Sequence, residues 1–154
     1  MGRISVSTRI LVVGDDQYSR EGLRDLLLSA GHAVQIYGGA WQAVQLVRTY
    51  QFDIVFVDLE LPRVRAIPMT GWDLIQNLRD CEPTLPIVVI TAEDRNRTLY
   101  ERAAALNVTE VLGKPINPRY LKAVVRALGA RHGFLPATAG ALLTEGVPQP
   151  GART

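Results

Sequence analysis

Several features that mark particular protein classes are scarce or missing in this sequence of 154 residues. It contains a single cysteine, Cys81, so no disulfide can form within the chain and a reducing compartment is favoured. No run of 18 apolar residues occurs, and residues 1–8 lack the apolar segment of a signal peptide, so neither membrane insertion nor secretion is indicated. We therefore expect a cytoplasmic protein without a membrane partner.

A large excess of charge of one sign is also missing. The chain has 17 Lys and Arg against 15 Asp and Glu, which leaves a net charge of +2. Because basic and acidic residues are interspersed, no basic stripe forms, and we expect no nucleic-acid partner.

No P-loop, G-x-G-x-x-G pattern or nucleophile elbow occurs. With 47% hydrophobic and 21% charged residues, the composition is typical of an ordinary globular domain.

Short apolar runs rich in β-branched residues recur at regular intervals, with helical periods between them. The runs cover residues 10–13, 33–36, 54–57, 87–90 and 110–112. A fourth helix is predicted over 96–106, and a fifth begins after Asn117, a predicted N-cap that precedes Pro118. This order is (βα)5, and right-handed crossovers then predict an α/β fold, a doubly wound parallel sheet with helices on both faces.

The pattern fades from Arg131 onward into residues dominated by Gly, Pro, Ala and Thr. We expect one domain over 1–130 and a flexible C-terminal tail over 131–154 that is too short for an output domain. The alternative is a docked tail, in which Leu135, Leu142 and Leu143 contact the domain through a short helix over 137–143.

Polar residues follow four of the predicted strands where each strand ends. These residues are Asp15 and Asp16, Asp58, Thr91 and Lys114. Each has an ordinary structural explanation by itself, such as a helix cap for Asp15, Asp16 or Thr91, an Asx-turn for Asp58, or a solvated loop cation for Lys114. Because the carboxyl ends of parallel strands meet at one edge, we expect the group to form a functional site there.

Clustered carboxylates with a hydroxyl and an ammonium suit reversible phosphoryl transfer to a carboxylate. A divalent cation fits between Asp15 and Asp58, and oxygen ligands with open water positions favour Mg²⁺. Asp58 would attack the phosphorus, Lys114 would pair with one phosphoryl oxygen, and Thr91 would donate a hydrogen bond to another.

The segments that carry these residues read ILVV-GDD, IVFVDLELP, VVITA and LGKP, and together they resemble the receiver domain of two-component response regulators over about residues 9–129. The resemblance implies a flavodoxin-like fold with strand order 2-1-3-4-5. It also implies a phosphoryl donor that is a sensor histidine kinase or a histidine phosphotransfer protein, and a cis bond between Lys114 and Pro115. The backbone carbonyl of Glu60 is implied as a further metal ligand.

The sequence departs from the family pattern at the first acidic position. The ungapped alignment puts Gly14 there, with Asp15 as the direct Mg²⁺ ligand and Asp16 as a third acid. The alternative pairs Asp15 with Asp16 after a shift of one residue, which would rotate the apolar face of the first helix by about 100°. The first alignment is favoured, and it predicts weaker Mg²⁺ binding unless Asp16 compensates.

Two further departures concern regulation. Five residues, 63–67, are inserted after Pro62, so that Arg63 and Arg65 either approach the phosphoryl group or a partner, or simply keep the loop soluble. Val111 stands where the family commonly has a switching aromatic residue. Glu60 and Glu93 occupy positions that in the family tune hydrolysis of the acyl phosphate.

We therefore expect a single-domain response regulator that accepts phosphate on Asp58, signals by contact with an unknown downstream protein, and has no enzymatic activity beyond its own phosphorylation and slow dephosphorylation. A homodimer through the surface of the fourth helix, fifth strand and fifth helix is a further expectation. The alternative is a pseudo-receiver, a binding module that does not need phosphate. A flavodoxin-like hydrolase is disfavoured, since Glu60 breaks the D-x-D spacing that such phosphatases use.

Overall fold

The computed structural model describes residues 8–14, 17–60 and 69–131, in which strands and helices alternate in five pairs. The elements are β1 (Arg9–Val13), α1 (Gln17–Ser29), β2 (Ala33–Tyr37), α2 (Ala40–Thr49), β3 (Ile54–Asp58), α3 (Gly71–Cys81), β4 (Ile87–Thr91), α4 (Arg97–Ala105), β5 (Glu110–Gly113) and α5 (Pro118–Arg131). Each predicted strand is confirmed and is one residue longer than its apolar run. Two polar side chains, those of Asp58 and Thr91, thereby become the last residues of strands.

The five strands form one sheet of order β2-β1-β3-β4-β5, with every neighbouring pair parallel. This is the doubly wound, flavodoxin-like topology that the sequence predicts. The register places Asp58 beside Ile90, and it places Thr91 beside Gly113. The carboxyl ends of β3, β4 and β5 therefore lie at the same edge of the sheet.

Apolar side chains of the sheet alternate between two cores, one on each face. In β3, Ile54 and Phe56 pack on the side of α1 and α5, whereas Val55 and Val57 pack on the side of α2, α3 and α4. All four are fully buried. Helices cover both faces, which explains why the central strands are continuous apolar runs instead of alternating polar and apolar residues.

Polar side chains at the helix starts bind the free backbone N–H groups there. The Thr70 hydroxyl and the Asp73 carboxylate form a reciprocal capping box at α3. The Asn96 side chain accepts from Leu99 N–H, so α4 begins after residue 96, within its predicted range. The predicted cap of α5 is confirmed, because Asn117 Oδ1 accepts from the backbone N–H groups of residues 119 and 120.

Arg79 of α3 joins two connections on the amino side of the sheet. Its guanidinium donates to five backbone carbonyls, those of Glu82, Pro83, Leu85, Leu106 and Asn107, at 2.7–3.1 Å. Asn107 has a positive φ of 55°, a conformation that asparagine tolerates better than most residues. This side chain therefore supports the turn before β4 and the turn before β5 together.

Three groups of predictions fall outside this description. α5 continues to Arg131, and the predicted tail after it lies outside the described residues, so the domain boundary stays a prediction. The inserted segment 63–67, with Arg63 and Arg65, also lies outside them, as do Asp15 and Asp16. Within the described ranges, no helix is long and apolar enough to cross a membrane.

Candidate functional site

Three of the predicted site residues meet at the carboxyl edge of the sheet. Asp58 ends β3, Thr91 ends β4, and Lys114 directly follows β5. The Lys114 Nζ lies 2.9 Å from Asp58 Oδ2, which makes an ion pair between side chains 56 residues apart in sequence. The backbone N–H of Lys114 also donates to Thr91 O at 2.9 Å. The predicted cluster of a carboxylate, a hydroxyl and an ammonium is present.

Asp58 is nearly enclosed, with 5% of its surface exposed. Its Oδ1 accepts a hydrogen bond from Glu60 N–H at 2.8 Å, and its Oδ2 accepts one from Lys114. The first of these contacts is the Asx-turn that the sequence offered as an ordinary structural role for Asp58. The structural explanation of this residue is therefore confirmed, and the functional one stays a prediction. Burial raises the pKa of Asp58, and the hydrogen bonds from Lys114 and Glu60 offset that effect only in part.

Lys114 is held between two carboxylates. Its Nζ lies 2.9 Å from Asp58 and 3.1 Å from Glu60 Oε1, and its bond to Pro115 is cis, as the resemblance implies. Burial lowers the pKa of Lys114, but hydrogen bonds to Asp58 and Glu60 outweigh it, so the pKa lies above its ordinary value. The ammonium therefore stays protonated and available to an anion.

The Glu60 side chain is the part of the site that the sequence prediction missed. Its Oε2 accepts from the Thr91 hydroxyl at 2.7 Å, and its Oε1 accepts from Ala92 N–H at 3.0 Å and faces Lys114 Nζ. Burial raises the pKa of Glu60, but these hydrogen bonds outweigh it and hold the pKa below its usual range. The sequence predicted only a backbone role and a tuning position for this residue.

Thr91 is fully buried and is hydrogen-bonded on both sides of its hydroxyl. It donates to Glu60 and accepts from Glu93 N–H at 2.9 Å. It does not cap α4, since Asn96 has that role. Glu93 contributes its backbone N–H to this arrangement, and its own side chain is exposed.

Val111 is 7% exposed and belongs to the apolar core on the side of α2, α3 and α4. It brings no polar atom to the site, in agreement with the expectation that this position has little to reorient.

A cavity of about 490 Å³ opens beside the site and is lined by Thr91, Tyr100 and Lys114, among others. The Arg95 guanidinium lies across Gly113 there, so close that a Cβ on Gly113 would be 2.8 Å from Arg95 Cζ.

The described residues include only part of the predicted Mg²⁺ site. Gly14 is buried directly after β1, and its N–H donates to Tyr37 O at 3.1 Å, so the chain leaves β1 at the same edge as Asp58. Within the ranges described, no three or more His, Cys, Asp or Glu side chains cluster in a way that could hold a metal ion. Asp58 offers one carboxylate of the kind that Mg²⁺ prefers, and the other predicted acids, Asp15 and Asp16, follow Gly14 in sequence and lie outside the described residues.

A family model described as the response regulator receiver domain matches residues 10–126 of this chain. The chain belongs to this family. Among curated relatives, the response regulator MprA of Mycobacterium ulcerans is 34% identical over 125 residues, which cover 80% of this chain and 50% of that protein. MprA of Mycobacterium sp. strain KMS is 35% identical over 122 residues, which cover 78% and 50%. This receiver chain thus spans about half the length of the curated relatives it matches.

Solved structures show the same receiver fold. A two-component response regulator from Clostridium difficile matches with a TM-score of 0.73 at 24% identity, covering 82% of this chain and 99% of that chain. A CheY-like receiver domain protein from Methanospirillum hungatei matches with 0.71 at 22%, covering 82% and 99%. The receiver domain of a Pseudomonas aeruginosa sensor histidine kinase matches with 0.70 at 21%, covering 80% and 98%, and holds a magnesium ion in its active-site cleft.

Proposed function

We propose that this receiver domain accepts a phosphoryl group on Asp58 from a phosphohistidine donor and signals the change by protein contact. The observation that carries the proposal is the buried Asp58 carboxylate at 2.9 Å from the Lys114 ammonium, at the edge where parallel strands end. Next to this pair, the Thr91 hydroxyl and the Ala92 N–H are bound to the Glu60 carboxylate, so further donors that could bind phosphoryl oxygens lie beside Asp58.

The transfer itself is a substitution at phosphorus. The bond between the phosphorus and the imidazole nitrogen of the donor breaks, an oxygen of Asp58 forms the new bond, and the nitrogen keeps the electron pair. Negative charge on the phosphoryl oxygens would be stabilised by Lys114 Nζ, the Thr91 hydroxyl and the backbone N–H of Ala92. The product is an aspartyl phosphate, so the chain is an acceptor and not an enzyme for other substrates.

Mg²⁺ is the proposed cofactor. The residues that would hold it are Asp58 through its carboxylate, Glu60 through its backbone carbonyl, and the acids Asp15 and Asp16. When bound, this ion supplies neutralisation of charge between carboxylates and phosphoryl oxygens. The magnesium ion in the cleft of the Pseudomonas receiver domain supports this assignment by similarity of fold.

The proposed partners are a sensor histidine kinase or a histidine phosphotransfer protein as donor, and a downstream protein as reader. A phosphoryl group adds nearly two negative charges, which would bias the loops after β3 and β4. The surface of α4, β5 and α5 is a candidate for a homodimer, and it exposes about half of Tyr100 and of Tyr120. The free cysteine supports a reducing compartment, the cytoplasm.

The intact mass after incubation with acetyl phosphate tests phosphorylation. We expect a gain of one phosphoryl group, about 80 Da, that requires Mg²⁺ and disappears in Asp58→Asn. Asp80→Asn is the matched control, because it makes the same chemical change on the exposed face of α3 and should leave the gain intact. A gain that survives in Asp58→Asn would contradict the assigned acceptor.

The second candidate function is the pseudo-receiver. It is favoured by one observation, namely that the Thr91 and Ala92 donors are already bound to Glu60 without any phosphate. If a folded sample gains no mass with acetyl phosphate or with phosphoramidate, this candidate replaces the first.

A further inference from the structure

The donors that would bind a phosphoryl group are already in use. Thr91 has one hydroxyl proton, and it is donated to Glu60 Oε2 at 2.7 Å. Ala92 has one backbone N–H, and it is donated to Glu60 Oε1 at 3.0 Å. Lys114 has three N–H bonds, of which one points to Asp58 and one to Glu60. A carboxylate can only accept hydrogen bonds, so the direction of these contacts is unambiguous.

We propose that the Glu60 carboxylate is an internal ligand of the phosphoryl-binding donors, and that phosphorylation of Asp58 exchanges it for the phosphoryl group. This inference rests on the proposed function. Thr91 and Ala92 each have a single proton to donate, so neither can bind Glu60 and a phosphoryl oxygen fully at the same time. The two anions therefore compete for the same donors.

The position of Glu60 suits an exchange of this kind. Its side chain is 36% exposed, whereas Asp58 and Thr91 are nearly or fully enclosed. The carboxylate can therefore move into water at low desolvation cost while its neighbours remain in place. A phosphoryl group on Asp58 would also repel it, since both are negative and share the Lys114 ammonium.

The exchange also provides a switch for a receiver with a valine at position 111. Val111 is part of the apolar core and has no polar tip that could follow Thr91. Glu60 is bound to Thr91 directly, so its release is the immediate result of Thr91 turning to the phosphoryl group. The loop after β3 would then present a free carboxylate to a partner.

Two variants of Glu60 separate occupation of the donors from plain charge repulsion. Glu60→Ala removes both the carboxylate and its contacts. Glu60→Asp keeps the charge but shortens the side chain by one carbon–carbon bond, about 1.5 Å, so that it cannot hold both Thr91 and Ala92. Glu101→Ala is the matched control, because it removes an exposed carboxylate that pairs with Arg97, one turn earlier in α4.

The first measurement is the rate of Mg²⁺-dependent mass gain with acetyl phosphate. Each hydrogen bond to Glu60 that does not have to be broken should raise the rate of phosphorylation by about a factor of five. We therefore expect Glu60→Ala and Glu60→Asp to gain phosphate at least about fivefold faster than the parent chain. Glu101→Ala should match the parent chain. The second measurement is hydrogen exchange of the Ala92 amide without phosphate, which should be about tenfold faster in both Glu60 variants.

The outcomes separate the two proposals. Faster gain in Glu60→Ala but not in Glu60→Asp would mean charge repulsion and would overturn the exchange. Equal or slower gain in both would overturn it as well. A gain that appears only in the Glu60 variants would support it strongly. If no chain gains mass, the proposed function fails and the exchange fails with it. Glu60→Leu, which keeps much of the side-chain volume but has no hydrogen-bond acceptor, replaces Glu60→Ala if that variant does not fold.

Discussion

Replacing the proposed phosphoacceptor by its neutral isostere should stabilise the fold. Asp58 is buried with a raised pKa, which means that its charge costs more in the folded chain than in the unfolded one. Asp58→Asn removes that charge and keeps the size of the side chain. Lys114 does not become an unpaired buried cation, because Glu60 Oε1 still lies 3.1 Å from its Nζ.

The sign follows from linkage. The unfolded Asp58 ionises as pH rises past its ordinary value of 3.8, and the folded one ionises only at higher pH, so the parent chain loses stability over that interval. Removing a buried, incompletely compensated charge changes stability by an amount on the order of 1 kcal/mol, and we expect a gain of that size for the variant at pH 7. With a urea dependence of about 1–3 kcal/mol per molar, the midpoint should rise by about 0.5 M.

Urea unfolding at pH 7 in the presence of EDTA measures this difference. Asp53→Asn is the matched comparison, since Asp53 accepts three hydrogen bonds from Arg9 and both side chains are largely buried. The same chemical change should there cost about 1–3 kcal/mol. A lower midpoint for Asp58→Asn, or an advantage that persists unchanged at pH 3, would refute the reasoning.

Two other predictions concern stability. Arg79→Met should lower the free energy of unfolding by about 2–3 kcal/mol, because five backbone carbonyls lose their donor. The control Arg48→Met, on the exposed side of α2, should change it by less than about 0.5 kcal/mol. Urea unfolding of both variants measures the difference. Burial lowers the pKa of His32, whose Nδ1 accepts from Thr8 N–H, so its contribution is present above pH 6.5 and is lost as pH falls below that value. The unfolding midpoint of His32→Asn should therefore fall less between pH 7.5 and 5 than that of the parent chain, and parallel curves would contradict this assignment.

The fold could be predicted because its signals are local. Each central strand is a β-branched run that is buried on both faces, and the cap Asn117 stands directly before Pro118, the first residue of α5. The meeting of Asp58 with Lys114 was also predictable, although 56 residues separate them, because parallel strands bring their carboxyl ends to one edge. The parallel topology therefore predicts a contact that no local sequence pattern indicates.

The contacts of Glu60 and Arg79 could not be predicted in the same way. Glu60 lies two residues beyond β3, where the backbone has left the regular strand and period-two alternation no longer says where a side chain points. Arg79 resembles any arginine in the last turn of a helix, and its carbonyl partners come from two separate turns. Both depend on distances between loops, which sequence spacing does not determine.

The departure from the family pattern at Val111 and the tuning position at Glu60 together describe one physical feature. A valine at position 111 removes a polar group that could respond to Thr91, and a glutamate at position 60 adds one that is bound to Thr91 already. The responding group is then an acid on the loop after β3 instead of an aromatic ring on β5. Glu60 also precedes Arg63 and Arg65 by only a few residues in sequence. A partner that recognises the phosphorylated state should therefore recognise charge near this loop, and its affinity should depend on ionic strength more than apolar docking would.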